Sequence, residues 1–454
     1  MRQTFQMDRY DLVVVGAGAA GEAAAHKGRE LGASVAIVDR ALFGGSCPFW
    51  ACMPSKALLH AAAVHHAGGD YRWAKASDFR DYMINRTDRE TPDDSGHVKS
   101  LEGAGATVIR GSAALDGPGR VRVGDQVIEA GAVILAIGTT SRVPDLPGLA
   151  EAHPWTNVQG TSTRTLPRSL VILGAGPTGV ELAQVYARYG VPVTLVHPRD
   201  RVHDREHPLS SRLLGKVLAA EGVTLRLGCR ATRVRAGEGA DGADVIELDA
   251  GEPVEGHEIL LAIGRDVPLD GLGLESVGVT PEDGRLEPDE RLRITENVYL
   301  AGDVAGPEMH THLGHYTGEA AARIALGQDY RPFLAAIPRA TYTDPETASV
   351  GLFVGQAEER GIDAFETTID IATSSKGYTA EAEGHVTVVV DRAARRVVGA
   401  FMAGPSVSEA IHECVLAIRA DVPLATLADT IHAFPTIARV LGTAFIAANQ
   451  EIEA

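Results

Sequence analysis

Two glycine-rich loops of the same pattern constrain the fold of this chain more than any other feature. Each follows a short apolar run, Tyr10 to Val15 or Ser169 to Leu173, and each precedes a segment with helical spacing. A strand, a GxGxxG loop and a helix in that order form the phosphate-binding turn of a Rossmann unit. The sequence therefore predicts two dinucleotide sites. The six glycines expected there are Gly16, Gly18, Gly21, Gly174, Gly176 and Gly179.

In each Rossmann unit, the residue after the second strand indicates which dinucleotide the unit binds, because it contacts the ribose. The first unit ends at Asp39, whose carboxylate can accept hydrogen bonds from ribose hydroxyls. The second ends at His197, with Arg199 two positions later, and these bases suit the 2'-phosphate of NADP. NADPH is therefore favoured over NADH, although solvated surface charges after a strand would give the same pattern.

Cys47 and Cys52 lie shortly after the first unit. The chain has only 4 cysteines, too few for a fold stapled by disulfides. A zinc site would need a second ligand pair, whereas Cys229 and Cys414 lie far apart without metal-binding spacing. A structural bridge stays open as an alternative. The position behind a nucleotide site favours redox chemistry at this pair.

These motifs resemble the pyridine nucleotide-disulfide oxidoreductases, the family of dihydrolipoamide dehydrogenase, glutathione reductase and mercuric reductase. The resemblance covers almost the whole chain. It is carried further by four segments: Val133 to Gly138, Leu260 to Arg265, Thr295 to Asp303, and Tyr342 to Gly351. It implies an α/β fold with two Rossmann-like dinucleotide-binding domains, for FAD and NAD(P), plus a C-terminal α+β dimerisation domain. The expected boundaries are 1–150 and 280–330 for a discontinuous FAD-binding domain, 151–279 for the NAD(P)-binding domain, and 335–454 for the interface domain.

The same resemblance implies roles for individual residues. Electrons would pass from NAD(P)H through FAD to a Cys47–Cys52 disulfide, with Cys52 next to the flavin and Cys47 exchanging with substrate. Lys56 would lie near the flavin, with Glu181 as its ion-pair partner. No metal is expected. The remaining cofactor-binding residues implied by the matched motifs are Gly45, Ser46, Gly138, Gly264, Arg265, Gly302 and Asp303.

The chain departs from the family near its C-terminal end. Family members have His-x-His-Pro-Thr followed by a glutamate, and the second histidine is the general base for the partner subunit's thiols. Here Phe434 replaces that base and Arg439 replaces the glutamate. A phenyl ring cannot move a proton, which removes a contribution of about 10²- to 10⁴-fold. His432 is interpreted as a packing or interface histidine.

Aromatic residues near the cysteines allow two interpretations. Phe49, Trp50 and the partner's Phe434 could form an aromatic wall at the mouth of the pocket, suited to a flat acceptor. Simple packing of the first helical turn explains Phe49 and Trp50 equally well.

Composition limits the classes of partner. The net charge of -18, from 60 acidic and 42 basic side chains, argues against nucleic acid or an anionic membrane. The first eight residues lack the apolar core of a signal peptide, and no apolar run of about 18 residues occurs. The cytoplasm is therefore the expected compartment. The family resemblance implies, in addition, a homodimer that acts on a small molecule.

Three functions remain open from the sequence. The first is an FAD-dependent NAD(P)H oxidoreductase that reduces a small disulfide or oxidises a dithiol. The second is an NAD(P)H-dependent reductase of quinones, dyes or metal ions, which would not need the missing histidine. No cysteine follows Cys414, so the C-terminal metal-delivery pair of mercuric reductases is absent. The third is a redox-sensing flavoprotein without useful turnover.

Overall fold

The computed structural model describes residues 8–86 and 91–453. The expectation about the first residues of the chain falls largely outside the described residues. The strands of the described part are β1 (Arg9–Val15), β2 (Val35–Asp39), β3 (Thr107–Arg110), β4 (Ala113–Leu115), β5 (Arg120–Val123), β6 (Gln126–Leu135), β7 (Thr140–Ser141), β8 (Leu170–Leu173), β9 (Val193–His197), β10 (Thr224–Leu227), β11 (Ala231–Arg235), β12 (Asp244–Leu248), β13 (Val254–Gly256), β14 (Glu258–Leu261), β15 (Arg265–Asp266), β16 (Arg293–Thr295), β17 (Val298–Leu300), β18 (Arg339–Thr341), β19 (Glu346–Gly351), β20 (Ala364–Asp370), β21 (His385–Asp391) and β22 (Arg396–Gly404).

The helices of the same ranges are α1 (Ala19–Glu30), α2 (Ser46–Trp50), α3 (Cys52–His66), α4 (Trp73–Met83), α5 (Ser95–Gly103), α6 (Asn157–Ser162), α7 (Pro177–Arg188), α8 (Pro208–Ala220), α9 (Thr311–Ala325), α10 (Val354–Glu359), α11 (Ser375–Ala380), α12 (Val407–Ala410), α13 (His412–Arg419), α14 (Leu424–Ala428) and α15 (Ile437–Glu453). None of the helices in the described ranges combines the length and apolar character needed to span a bilayer.

The chain forms two compact units. The first consists of residues 1–57, 77–142 and 264–332, and the second of residues 58–76, 143–263 and 333–454. Both units are discontinuous because the middle of the chain and its C-terminal part belong to the second.

A largely parallel sheet forms the centre of the first unit. Its order is β16-β17-β6-β1-β2-β3, with β4 and β5 joined to the edge of β6 as an antiparallel meander. Leu12 to Val14 are fully buried because helices and neighbouring strands cover both faces of β1. This burial explains why the strand consists of consecutive apolar residues and does not alternate with polar ones.

Small residues let α1 and α9 pack closely in the first unit. A Cβ atom added at Gly318 would lie 2.2 Å from the carbonyl oxygen of Ala20, and one added at Gly302 would lie 2.9 Å from the Ala20 Cβ. The hydroxyl of Thr317 also receives the amide of Gly302 at 2.9 Å. These contacts fix α9 against the helix that follows the first glycine loop.

The second unit contains three sheets. The parallel sheet β10-β9-β8-β14 repeats the arrangement around the second glycine loop, and β11-β12-β13 is an antiparallel addition. The C-terminal part is the antiparallel sheet β18-β19-β22-β21-β20. Its core includes the fully buried Phe445 of α15, the longest helix of this part.

The apolar spacing from Val407 to Ile418 predicts one helix, and the structure agrees. Its two parts, α12 and α13, join at Ile411, whose backbone is helical with φ −57° and ψ −25°. The amide of Ile411 donates to the carbonyl oxygen of Val407, and the amide of Val415 donates to that of Ile411. Apolar side chains of both parts face the same core.

Candidate functional site

The first glycine loop is shaped by contacts that exclude side chains. Gly16 has a φ of 100°, and a Cβ atom there would lie 2.3 Å from the carbonyl oxygen of Ala136. A Cβ atom at Gly21 would lie 1.8 Å from the carbonyl oxygen of Gly16. The helix can therefore start this close to the strand only because Gly21 has no side chain. Gly18 precedes α1, and no side chain caps this helix end. The first amides of α1 can therefore bind a phosphate group.

A second loop closes on the first just before the cysteines. Gly44 and Gly45 have φ angles of 102° and 72°, a region that favours glycine. A Cβ atom at Gly45 would lie 2.6 Å from the Cα of Gly18. Ser46 is exposed and begins α2. The approach of these two loops leaves bare backbone on both sides of the predicted pyrophosphate position.

Asp39 stabilises the glycine loop directly. The amide of Ala17 donates to its Oδ2 at 2.6 Å, and the amide of Ala41 donates to Oδ1 at 2.7 Å. A carboxylate offers about four lone-pair sites, so these two bonds leave capacity for a ribose hydroxyl.

The second predicted flavin motif forms a polar network. Thr139 and Arg265 both donate to Oδ2 of Asp303, at 2.7 and 2.9 Å, and Arg265 also donates to the carbonyl oxygen of Met309 at 2.7 Å. Among the described residues no group donates to Oδ1 of Asp303, which can therefore accept a hydroxyl of a ribityl chain. Gly302 and Gly138 both have positive φ, and no atom lies within 4 Å of the Cβ position of Gly138.

The two cysteines lie at the ends of consecutive helices. Cys47 is in α2 and Cys52 is the first residue of α3, with Ala51 between the helices in a non-helical conformation. Both side chains are half-buried. The hydroxyl oxygen of Thr311, the first residue of α9, lies 3.2 Å from the Cys52 sulfur. The start of α9 thus supplies a polar contact to the cysteine pair.

The two thiols interact electrostatically. The pKa of Cys47 is raised above its ordinary value, first because its thiol shares a hydrogen bond with Cys52 and then because burial disfavours the thiolate. The Thr311 hydroxyl acts in the opposite direction. Because two adjacent thiols cannot both ionise easily, a single negative charge on the pair is the favoured ionised state.

Lys56 and Glu181, the two residues predicted to form an ion pair, belong to different compact units. Lys56 donates from Nζ to the hydroxyl of Ser55 at 3.3 Å, within the first unit. Glu181 is buried in α7 of the second unit, where its Oε1 accepts the backbone amide of Tyr342 at 3.0 Å.

The second glycine loop repeats the contacts of the first. Gly174 has a φ of 107°, and its Cβ position lies 2.3 Å from the carbonyl oxygen of Ala262. A Cβ atom at Gly179 would lie 2.0 Å from the carbonyl oxygen of Gly174. No atom lies within 4 Å of the Cβ position of Gly176, and no side chain caps α7. The loop therefore offers backbone amides to a second dinucleotide.

His197 takes the place of Asp39 in this second loop. Its Nδ1 accepts the amide of Ala175 at 3.3 Å, just as Asp39 accepts Ala17, and its Nε2 donates to Oδ1 of Asp204 at 3.1 Å. Arg199 is 67% exposed, with its Nε 3.8 Å from Oδ2 of Asp204. Gly264, predicted to close this part of the chain, lies in the first unit, where its carbonyl oxygen accepts the amide of Arg142.

The C-terminal motif is exposed except for its histidine. Phe434 is 72% exposed, and Arg439 is also exposed. The His432 side chain is only 4% exposed; its Nε2 donates to Glu413 at 2.9 Å, and its ring contacts Gly442. This agrees with the interpretation of His432 as a packing residue.

The aromatic-wall interpretation is wrong for Phe49. This ring is 2% exposed and packs edge-on against His97, with centroids 5.6 Å apart. Sequence reasoning also missed two residues near the cysteines, Thr311 and His97. Thr311 had a usable signal, since it follows the Asp303 motif by one short loop, whereas nothing in the sequence around His97 indicated its position.

The fold and these loops together define a flavoprotein with two dinucleotide sites and a cysteine pair. Bare glycine backbone, uncapped helix ends and the available oxygen of Asp303 fit FAD at the first loop, and the second loop fits NAD(P). Among the described residues no cluster of three or more His, Cys, Asp or Glu side chains could hold a metal ion.

Comparison with known proteins gives the same class. A family model described as pyridine nucleotide-disulphide oxidoreductase matches residues 10–321, and the model of its dimerisation domain matches residues 337–445. A dihydrolipoyl dehydrogenase of Halobacterium salinarum is 32% identical, with 94% of both chains covered. A mercuric reductase of Staphylococcus aureus is 28% identical over 98% of this chain and 83% of its own length. LpdA of Mycobacterium tuberculosis has a similar structure, with a TM-score of 0.85, 25% identity, and 97% of this chain and 100% of that chain covered.

The chain therefore belongs to the pyridine nucleotide-disulphide oxidoreductase family. It is an FAD-dependent enzyme that uses NAD(P)H for disulfide oxidoreduction, and it carries the dimerisation domain of the family.

Proposed function

We propose that this enzyme transfers electrons from NADPH to a redox-active Cys47–Cys52 pair and from there to a small disulfide, or in reverse from a small dithiol. Bound FAD supplies the two-electron link between nicotinamide and thiols. The observation that carries the proposal is the contact between the two thiols beside Thr311, just after the Gly44–Gly45 loop that closes on the first glycine loop. The Thr311 hydroxyl contacts both thiols and does not tell them apart. The family resemblance assigns Cys52 to the flavin side and makes Cys47 the thiol that exchanges with substrate.

Anaerobic titration with NADPH tests this proposal. Formation of a long-wavelength thiolate-to-flavin band, with uptake of more than the two electrons that FAD holds, supports a working cysteine pair. Cys47→Ser should keep FAD but lose both the extra uptake and disulfide reduction. Uptake of two electrons alone, with full turnover in Cys47→Ser, would contradict the proposal.

The exposed Phe434 favours a second candidate, an NAD(P)H-dependent reductase of quinones, dyes or metal ions. Such acceptors need no proton from the position that Phe434 occupies. In this case Cys47→Ser would retain quinone reduction at the wild-type rate. A redox sensor without turnover is the third candidate, and it predicts reduction of the thiols without transfer to any of these acceptors.

We propose NADPH as the preferred nicotinamide cofactor. His197 replaces the carboxylate that would bind a free 2'-hydroxyl, and Arg199 beside it is exposed. A charge-assisted hydrogen bond to phosphate contributes about 1.5–3 kcal/mol, so Arg199→Ala should weaken NADP⁺ binding by about tenfold or more. NAD⁺ binding should stay within about twofold. Arg205→Ala, which removes another exposed arginine nearby, is the matched control, and equal losses for both dinucleotides in Arg199→Ala would contradict the preference.

We also propose that Lys56 and Glu181 form an ion pair beside the flavin. The placement of Lys56 one turn after Cys52 and the burial of Glu181 support it. Replacement of Glu181 by Gln should slow flavin reduction by NADPH in stopped flow. An unchanged reduction rate would contradict this pairing.

We infer a cytoplasmic homodimer whose FAD-binding domain consists of residues 1–150 and 280–330. Its NAD(P)-binding domain would span residues 151–279, and its interface domain residues 335–454. Leu416, Ile431 and Phe434 are large apolar side chains of the dimerisation domain, 63%, 98% and 72% exposed, and a second copy would cover such residues. A chain with only 4 cysteines suits a reducing compartment. A monomeric mass by light scattering would contradict the dimer.

A further inference from the structure

The ring of His97 packs against the turn that carries Cys47. A Cβ atom at Gly44 would lie 2.8 Å from the His97 Cε1 and Nε2 atoms, so the imidazole rests directly on the Gly44 backbone. On the other side of Cys47, the buried Phe49 meets the same ring edge-on at 68°. The imidazole of α5 therefore contacts the chain three residues before Cys47 and two residues after it.

Glu22 holds this ring in place. Nδ1 of His97 donates to Oε1 of Glu22 at 2.9 Å, and Glu22 follows the last glycine of the FAD loop in α1. Burial raises the pKa of Glu22, while the charge of His97 acts in the opposite direction. His26 of α1 and His315 of α9 also face this carboxyl and stabilise its charge. One hydrogen bond thus joins α1 to the α5 imidazole that packs against the cysteine turn.

The cysteine turn has few contacts that hold its side chains. Among the described residues, backbone hydrogen bonds fix only its first residues: the amide of Gly45 donates to the carbonyl oxygen of Leu42 at 3.1 Å, and the amide of Gly44 donates to that of Ala17 at 2.8 Å. Gly44 and Gly45 restrict the backbone least of all residue types, and α2 has only five residues before the break at Ala51. Its position must therefore come from contacts with other elements. Phe49 and Gly44 supply such contacts, and both are made with His97.

We propose that Glu22 and His97 are positioning residues that hold the Cys47 turn against the FAD glycine loop. They maintain the contact of Cys47 with Cys52 and the approach of Gly45 to Gly18. The inference rests on the proposed function only in assigning Cys47 as the substrate-facing thiol. Neither side chain exchanges a proton or electron with substrate in this role.

Three variants of the full-length holoprotein test the proposal. His97→Phe keeps a ring against Phe49 but removes the hydrogen bond, and Glu22→Leu removes the bond from the other side. Glu22→Gln keeps an acceptor for Nδ1 and is the conservative variant. His26→Gln changes another group beside Glu22 that has no described contact with the cysteine turn, and is the matched control.

The readouts do not depend on turnover. The rate of Cys47 alkylation by iodoacetamide is measured by mass spectrometry of the reduced protein at pH 7.5, and it rises when Cys47 loses its contact with Cys52. The rate of FAD release rises when the cysteine turn moves away from the first glycine loop. His97→Phe and Glu22→Leu should each accelerate both rates by about tenfold, the equivalent of one hydrogen bond. Glu22→Gln and His26→Gln should remain within about twofold of wild type.

Wild-type rates in both Glu22→Leu and His97→Phe would overturn the proposal. If His97→Phe does not fold, Glu22→Leu compared with Glu22→Gln decides the question alone, and equal rates in these two variants would also overturn it. Failure of the proposed function is distinguishable, because it would show as full disulfide turnover in Cys47→Ser, whatever the alkylation rates of the His97 and Glu22 variants.

Discussion

Restoring a base at position 434 is the sharpest test of how this chain departs from its family. The double variant Phe434→His and Arg439→Glu recreates the family's histidine and carboxylate at the positions that match them. Both native side chains are exposed in the single chain, so each change should alter the free energy of unfolding of that chain by no more than about 0.5 kcal/mol. The combined cost of about 1 kcal/mol or less leaves the fold intact.

The expected gain is larger than this cost. A positioned base contributes about 10²- to 10⁴-fold, or about 2.7–5.5 kcal/mol of activation free energy. A newly introduced base is less well oriented than a native one, so we expect at least a tenfold rise in kcat/KM for oxidation of dithiothreitol with NADP⁺. Tyr82→His, which places an imidazole at a 78% exposed position of α4 outside the residues proposed for the dimer interface, should change nothing.

The assay separates catalysis from stability. The rate of NADPH formation is followed from pH 6 to 9, and unfolding by urea is measured for each variant. A folded double variant with wild-type turnover at every pH would refute the assignment of position 434 as the place of the missing base. An equal rise in Tyr82→His would refute it as well.

Three further predictions follow from individual contacts. Thr311→Val removes the hydroxyl beside Cys52 and should weaken the long-wavelength band of the reduced protein at pH 7, whereas Thr311→Ser should retain it. Asp303→Asn removes the carboxylate that pairs with Arg265, and the Kd of FAD measured by fluorescence should rise about tenfold, while Asp266→Asn should leave it unchanged. Burial lowers the pKa of His385 from 6.5 to about 3, so the unfolded chain binds a proton there that the folded protein does not. Its contribution to stability is therefore complete above pH 6.5 and is lost as pH falls toward about 3, by up to about 1.4 kcal/mol per pH unit. In urea unfolding, His385→Gln should show a shallower loss between pH 6.5 and 4.5.

The sequence predicts the local parts of the site well because their signals are local. The two glycine loops, the strands before them and the acid or base after them occupy single βαβ units, and the structure reproduces their shared contacts at Gly16 and Gly174. The family match at Asp303 likewise locates its network with Thr139 and Arg265 in the first unit.

Contacts between distant segments are not visible in the sequence. His97 lies in a helix with no motif, yet it packs against Gly44 and Phe49 because the tertiary fold brings α5 beside the cysteine turn. Phe49 illustrates the same limit, since an aromatic residue beside a catalytic cysteine can face the pocket or the interior. Only the packing of α2 decides between them.

The close packing of α9 on α1 has a consequence for the thiols. Thr311 begins α9, and Gly318 lies seven residues later, about 10 Å along the helix axis. Any side chain at Gly318 would collide with the Ala20 carbonyl oxygen and displace the helix as a rigid rod. The separation between the Thr311 hydroxyl and the Cys52 sulfur is therefore set partly by the absence of a methyl group two turns away. Mutations that disturb the redox pair can thus arise at positions that touch neither sulfur nor cofactor.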